Sequence, residues 1–384
     1  MELTKCKLGE LITQRREKND GSDLPICGVS KDGLIPPKQK DADTSIYNVF
    51  YRDDFIFNPA RMELNSIAIN DMYDRAICSS LYEVFYVHRT DLLLPHYLEL
   101  IIRQKWFTRY CEFLGQGSAR EYCRFGNISE IEIEFPPIEE QQKIVEYNTA
   151  IENRIALKQK INDNLVAVGT ASIQKNVGRG ALINLTEAEM DSLIFPEDFK
   201  IKTVSEFCAE TKSGSTPSRT NNEYWENGTI SWVKSGEVHN NITLQTEEYI
   251  TSLGLSESST KLLPKDTVLM AMYGVTAGEV GYLAIEATTN QAICGMICRS
   301  KAEAAYLYFS LIQSQAAISR LSNGGAQDNL SKNFIDNIKI VVPPSEFIEK
   351  LNLAAIVEQM TLNTKEIILL EELQATVLAQ LSSR

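Results

Sequence analysis

Histidine is scarce in this chain. His88, His96 and His239 are the full set, and no two stand at a spacing suited to a metal site or a nucleophilic triad. There is no G-x-x-x-x-G-K-[ST] loop, so the sequence holds no phosphate cradle for ATP hydrolysis. A base-modifying site of the adenine type needs Asn/Asp-Pro-Pro-aromatic; Phe57-Asn58-Pro59-Ala60 lacks both the second proline and the aromatic ring. Asp198-Phe199-Lys200 carries the bare carboxylate-x-Lys pattern of a nuclease, which is close to chance in a chain of this length. Catalysis by this chain alone is therefore not expected.

Other absences narrow the class further. No window approaches ~18 uninterrupted apolar residues, so no membrane span is expected. The start, Met1 to Cys6, lacks the charged-then-apolar layout of a secretory signal, and a cytoplasmic location is expected. The eight cysteines are scattered; only Cys294 and Cys298 stand close, with no second pair at zinc-finger distance, so buried reduced thiols and no bound metal are expected. Basic residues are in deficit, 38 Lys and Arg against 51 Asp and Glu, for a net charge of −13. That argues against an autonomous nucleic-acid binder, which neutralises phosphates with Lys and Arg, although a basic partner could supply such contacts.

What the chain does have is a repeat. Gly117-Ser118-Ala119-Arg120-Glu121 is echoed by Gly324-Gly325-Ala326-Gln327-Asp328. Ile128-x-x-Ile131-x-Ile133-x-Phe135-Pro136-Pro137 is echoed by Ile335-x-x-Ile338-x-Ile340-x-Val342-Pro343-Pro344, again at an offset of 207 (343 − 136). So long a period excludes solenoids and propellers, whose units are ~20–50 residues. Two whole domains, each followed by its own helix, is the simplest arrangement.

Earlier marks support it. Leu8-Gly9-Glu10-Leu11 matches Val204-Ser205-Glu206-Phe207 at offset 196, Asp53-Asp54-Phe55 matches Asp266-Thr267-Val268 at 213, and Ala76-Ile77-Cys78 pairs with Ala292-Ile293-Cys294 at 216. Gln14 to Lys18 reads as a polar basic turn. Apolar runs predict strands at 55–57, 66–69 and 81–87 in the first half, with a helix over 98–113. In the second half they predict strands at 230–233, 267–272, 280–284 and 292–298, with a helix over 302–321.

The stretches after each Pro-Pro read as long helices. Ile356, Met360, Asn363, Ile367, Leu370, Gln374, Val377 and Leu381 step by alternating fours and threes, a heptad seam with two polar members. At offset 205 the central stretch answers with Ile151, Ile155, Lys158, Asn162, Leu165, Gly169 and Ser172, an interrupted seam. Each helix has an apolar stripe to bury, and an antiparallel pair is the expected arrangement. About 35 residues at ~1.5 Å each would make a spacer of roughly 50 Å. The other arrangement has each helix folding back onto its own domain. The expected layout is a first domain over 1–137, a central helix and linker over 138–180, a second domain over 181–344 and a C-terminal helix over 345–384. The expected class is α/β (α+β): two similar domains separated by an antiparallel helix pair.

The chain resembles the specificity subunits of type I restriction–modification systems along nearly its whole length. The second half carries Ile230-Ser231-Trp232-Val233-Lys234-Ser235-Gly236-Glu237, Ala271-Met272-Tyr273-Gly274-Val275-Thr276-Ala277-Gly278 and Thr289-Asn290-Gln291-Ala292. The first half carries Phe57-Asn58-Pro59-Ala60-Arg61, Asn65-Ser66-Ile67-Ala68-Ile69 and Pro136-Pro137-Ile138-Glu139-Glu140-Gln141-Gln142. It departs from the family pattern at Pro344-Ser345-Glu346-Phe347-Ile348, where a Glu-Gln-Gln run would be expected. The resemblance implies two target recognition domains, each reading one half of a split asymmetric site in double-stranded DNA. It implies two methyltransferase subunits docked on the helices and two restriction/translocase subunits joining them. S-adenosylmethionine, ATP and Mg would sit on those partners, with no cofactor on this chain.

Base reading needs bidentate groups in the major groove and phosphate contacts for register. Lys31, Arg61 and Arg120 are the candidates in the first domain; Lys234, Ser235, Tyr273 and Thr276 are those in the second, beside Gly236 and in the Gly274–Gly278 loop. Trp232 reads as core. Ile151, Ile155, Leu165, Ile356, Met360, Ile367, Leu370, Val377 and Leu381 are the helix-pairing and partner-docking candidates. The rival class is a non-catalytic adaptor, two domains on a coiled coil recognising proteins, which suits the acidic charge better and the duplicated loops worse.

Overall fold

The computed structural model describes residues 3–31, 33–37, 43–115, 122–183, 193–239, 241–322 and 330–382. Contacts group the chain into two units, Met1–Arg154 with Leu370–Arg384, and Ile155–Leu369. Each long helix is thus divided between the units. No helix among the described residues is long and apolar enough to cross a membrane.

In the first unit, β1 (Thr4–Lys7), β2 (Ile12–Arg15), β3 (Ile26–Ser30), β4 (Gly33–Ile35), β5 (Asn48–Tyr51), β6 (Phe55–Phe57), β7 (Ile67–Ile69), β8 (Arg75–Cys78) and β9 (Glu83–Val87) come first. Helices α1 (Pro95–Ile102), α2 (Lys105–Gly115) and α3 (Phe125–Ser129) follow, then β10 (Glu132–Phe135) and α4 (Ile138–Asn176). The sheets are β2-β9-β6-β7, β4-β3-β8-β5 and the ribbon β1-β10. Phe55 and Phe57 face one apolar cluster with Phe85, Leu98 and Phe107, while Ile56 between them faces a second with Phe50, Ala76 and Val84. A strand buried on both faces reads as an unbroken apolar run, which is why this one was visible in the sequence.

The second unit runs β11 (Ala181–Leu182), β12 (Lys200–Thr203), α5 (Val204–Phe207), β13 (Glu210–Ser213), β14 (Ile230–Val233), β15 (Ile242–Thr243), β16 (Glu248–Ile250) and α6 (Ser252–Ser256). It continues with β17 (Thr267–Ala271), β18 (Val280–Leu283), β19 (Thr288–Thr289), β20 (Ile293–Ile297), α7 (Lys301–Ser322), α8 (Lys332–Asp336), β21 (Lys339–Val342), α9 (Ser345–Lys350) and α10 (Leu353–Ser382). Its sheets are β13-β20-β17-β18-β15, β16-β14-β19 and β11-β21-β12. The same alternation recurs: Val268 and Met270 enter the main core, Leu269 and Ala271 the smaller cluster.

The repeat is visible in strand register. Thr4 pairs with Phe135 in the first unit and Lys200 with Val342 in the second, so the partners are shifted by 196 (200 − 4) and 207 (342 − 135). Glu10 accepts from the Lys7 amide at 3.1 Å and Glu206 from the Thr203 amide at 2.7 Å, matching caps at offset 196. Asp53 and Asp266, the pair at offset 213, both take left-handed backbone, φ 66° and 67°. One sequence pairing is corrected. Ile77 pairs in parallel with Ile26, and the parallel counterpart in the second unit is Thr288 with Trp232. Ala76-Ile77-Cys78 therefore answers to β19, and Ala292-Ile293-Cys294 opens β20, the counterpart of β9. The shared letters were coincidence between two buried strands.

Gln14 and Arg15 belong to β2 rather than to a turn: Arg15 is bound to Asp54 at 2.6 and 3.0 Å, with its guanidinium 4.7 and 4.6 Å from the Tyr51 and Tyr86 rings. The single helix expected over 98–113 is two, α1 and α2, parted at Arg103-Gln104.

The long helices pair antiparallel. Within the second unit Lys158 meets Glu366 at 2.8 Å and Asn162 meets Asn363 at 2.9 Å; within the first, Gln374 donates to Asn148 at 3.0 Å. Met360 and Ile367 are buried, while Ile151, Ile155, Leu165, Ile356, Leu370 and Val377 are partly covered. The side chain of Leu381 lies outside the described residues. At its start α10 buries Leu353 and Val357 against the core of the second unit, in preference to the Ile356 of the heptad reading. The break in the central seam at Gly169 has a cause: a Cβ there would lie 2.3 Å from the Phe309 ring of α7. Ile173 and Val177 beyond it are core residues of the second unit. That end of α4 packs on the core of the second unit, whereas the other arrangement had each helix folding back onto its own domain.

The departure at Pro344–Ile348 also has a structural form. Gln141 is fully buried at the start of α4, accepting from the Leu94 amide at 2.9 Å and donating to Leu92 and Pro136 carbonyls at 2.7 and 2.8 Å. Its counterpart at offset 207 is Ile348, an apolar core residue, and the helix there breaks into α9 and α10 at Asn352, φ 54°.

Candidate nucleic-acid interface

The sequence candidates fall on two topologically matching connections. Lys31 follows β3 and Arg61 lies in the β6–β7 connection; Lys234 and Ser235 follow β14, while Tyr273 and Thr276 lie in the β17–β18 connection. The parallel partnerships β3–β8 and β14–β19 make these the same two places on one frame. In both units a buried hydroxyl ties them together: Ser66 donates to the Val29 carbonyl at 3.1 Å, and Thr276 to the Ser235 carbonyl at 3.2 Å.

In the first unit these connections line a groove of about 1500 Å³. Lys31 and Arg61 are both in its wall, joined by Arg103 and Arg124, which the sequence reading missed, and by Tyr47, Tyr82 and Tyr122. Asn58 caps the short turn before Arg61, accepting from the Ala60 amide at 3.1 Å, and Asn65 ends that turn in left-handed backbone, φ 52°. Lys31 and Arg61 are exposed and, among the described residues, have no ion-pair partner. Arg124 is 3.3 Å from Glu83 with its guanidinium 5.5 Å from the Tyr122 ring, and Arg103 is 2.5 Å from Glu99. Exposed cations in a groove whose wall also carries tyrosines are suited to phosphate oxygens and base edges. Arg120 lies outside the described residues.

The second unit is built differently on the same frame. Lys234 is not a free cation: its ammonium lies 2.5 Å from Glu247 and 3.3 Å from Glu248, and the bond to Glu247 chiefly raises its pKa above the ordinary value. Arg219 bonds Glu248 and stacks 3.7 Å from the Trp225 ring centre and 4.8 Å from that of Trp232. The Arg219 hydrogen bond is the main cause that holds Glu248 below the ordinary carboxylate range. Trp232 is core, as read, and donates to the Ser215 carbonyl at 3.1 Å. Thr276 is buried and acts as the tie described above, whereas Tyr273 and Val275 on either side of Gly274 are exposed, Val275 completely. Gly274 and Gly278 take φ 75° and 88°, so the loop is a tight turn that needs glycine; Gly281 sits in β18. Glu247, Glu248 and Arg219 carried no sequence signal, because their partners are 13 to 29 residues away.

No group of three or more His, Cys, Asp or Glu able to hold a metal occurs among the described residues. A model of the type I restriction modification DNA specificity domain matches residues 6–167 and again 196–372. The chain belongs to that family. Its two family domains are the two copies of the repeat, and each contains the pair of connections just described. Over 322 residues it is 22% identical to the HindI type I restriction enzyme specificity subunit of Haemophilus influenzae, covering 67% of this chain and 70% of that one. It is 26% identical over 175 residues to the EcoR124I/EcoR124II specificity subunit of Escherichia coli, covering 44% of this chain but 41% of that one. A crystal structure of a type I restriction–modification S subunit from M. genitalium superposes with a TM-score of 0.57 at 16% identity, covering 99% and 96% of the two chains. That likeness is one of fold.

Proposed function

We propose that this chain reads a split, asymmetric duplex site for a methylating and cleaving complex, one half with each unit. The observation that carries this is the recurrence of two matching connections, tied by Ser66–Val29 and Thr276–Ser235, with different side chains displayed on each. A constant frame with variable loops is how one scaffold comes to recognise two different sequences. In this reading the chain breaks no bonds itself. Two methyltransferase subunits would dock on α4 and α10 and bring S-adenosylmethionine; two restriction/translocase subunits would bring ATP and Mg. The acidic net charge fits a subunit that shares its backbone contacts with such partners.

The test is selection from a random duplex pool by the chain together with its methyltransferase partner. An enriched motif of two short words separated by an unread gap is expected. A pool that stays random would favour the adaptor reading. Replacing the Asn58–Ser66 connection should then rewrite one word and leave the other unchanged.

A further inference from the structure

Arg103 stands at a junction. Its side chain is half exposed and lines the groove of the first unit together with Lys31, Arg61 and Arg124. The same guanidinium is bound to Glu99 at 2.5 Å on α1 and lies 3.6 Å from Oε1 of Glu152 on α4. That oxygen has a second claimant: Gln374 of α10 donates to Oε1 of Glu152 at 3.2 Å and to the buried Asn148 at 3.0 Å. One carboxylate oxygen is therefore shared between a cation in the groove and the amide that joins the two long helices. All five residues belong to the first unit.

We infer that Arg103 is a positioning residue that couples duplex in the groove to the pairing of α4 and α10. The inference rests on the proposed reading of DNA by this groove. A guanidinium binds a phosphate with two parallel donors, and its longer contact, the one to Glu152, is the one to yield. When Arg103 turns to phosphate, Oε1 of Glu152 is left to Gln374 alone. The hydrogen bond that the Gln374 amide donates to Glu152 shortens, and the Asn148–Gln374–Glu152 cluster tightens. Occupancy of the groove and order in this part of the helix pair then rise together, and linkage requires the reverse effect to be equal.

The experiment is a double-mutant cycle on the full chain with its methyltransferase partner, using a mixed-sequence duplex, since a phosphate contact does not depend on sequence. Arg103→Gln should weaken binding and reduce the slope of log affinity against log salt by about 0.9, one phosphate contact. Glu152→Gln should tighten binding about fivefold or more by releasing Arg103, and should do nothing when Arg103 is already Gln. Duplex should slow hydrogen exchange around Gln374 in the native chain and not in the Arg103→Gln variant. Equal tightening by Glu152→Gln in both backgrounds would show mere removal of negative charge and overturn the coupling, as would an unchanged salt slope in Arg103→Gln. If the native chain binds no duplex, the functional reading fails with it; if it binds and the cycle is additive, only the coupling fails.

Discussion

Lys158 donates to Oδ1 of Asn363 at 3.2 Å, and these two residues hold the same place in the two copies of the repeat, 205 apart (363 − 158). The helix pair meets itself through matching positions, as the surface of a two-fold dimer does, but within one chain. Around that contact lies a polar layer: Asn363 donates to Asn162 at 2.9 Å, Asn162 to Thr364 at 3.3 Å, and Lys158 reaches Glu366 at 2.8 Å. Asn363 is 1% exposed, so the layer is buried within the seam, where a polar position fixes register and direction.

Asn363→Ala should therefore destabilise the second unit by about 1–3 kcal/mol, because Asn162 and Lys158 lose a buried partner. Replacing Asn162 and Asn363 together by Leu should cost much less in a urea melt, or stabilise, while loosening the antiparallel register. Cysteine cross-linking across the pair reads the second effect. A double variant as unstable as the single one would show that the layer does not act as a unit.

Arg61→Ala should weaken binding to the cognate duplex by about 1–3 kcal/mol if the guanidinium reads a base, and by less on DNA altered in the half read by the first unit. Equal loss on every sequence would reduce Arg61 to a phosphate contact. Lys234→Ala should change the salt slope less than Arg61→Ala does, because Glu247 and Glu248 already neutralise Lys234. Titrating duplex at several salt concentrations measures both.

Gly278→Ala places a Cβ 2.7 Å from the Ser319 hydroxyl and puts alanine at φ 88°. The expected cost is about 1–3 kcal/mol of stability. Selection from a random pool should then lose the word read by the second unit and keep the other. Loss of both words would mean that this loop serves the fold of the whole chain.

His96 sits between two carboxylates, with Nδ1 3.8 Å from Glu99 and Nε2 3.6 Å from Asp53. Glu99 is the largest cause that raises its pKa above the ordinary 6.5, and Asp53 adds to it against partial burial. A group whose folded pKa is raised stabilises fully below its unfolded value and loses that contribution as pH rises through the folded one. The stability of the first unit should therefore fall as pH climbs upward from about 6.5, and His96→Gln should flatten that fall. Denaturation midpoints across neutral pH in the two chains decide it; identical slopes would exclude His96 as the cause.

Strands buried on both faces were easy to find in the sequence, since β6, β17, β18 and β20 are largely apolar and read the same from either side. β17, β18 and β20 fall within one residue of the stretches expected at each end, and β6 and β14 coincide with theirs. Polar edge strands such as β1, β12 and β13 were not visible, because half their residues face water and their only strong signal is a partner more than 80 residues away. Composition alone cannot separate two apolar strands, and so the copy of Ala76-Ile77-Cys78 was misplaced until the parallel pairing with β3 fixed it.

By itself the sequence determined that the chain is a duplication, that each copy ends in a helix, and where glycine-rich turns interrupt the strands. Those are properties of local chemistry and spacing, and they survive without coordinates. Only the tertiary structure decided which charges are free. Lys31 and Arg61 stand in a groove with no ion-pair partner among the described residues, Lys234 is held by two glutamates, and Thr276 is spent on a carbonyl, although all four looked alike as letters. The physical reason is that a charge is neutralised by what folds beside it, and neighbours in space are set by strand register rather than by distance along the chain.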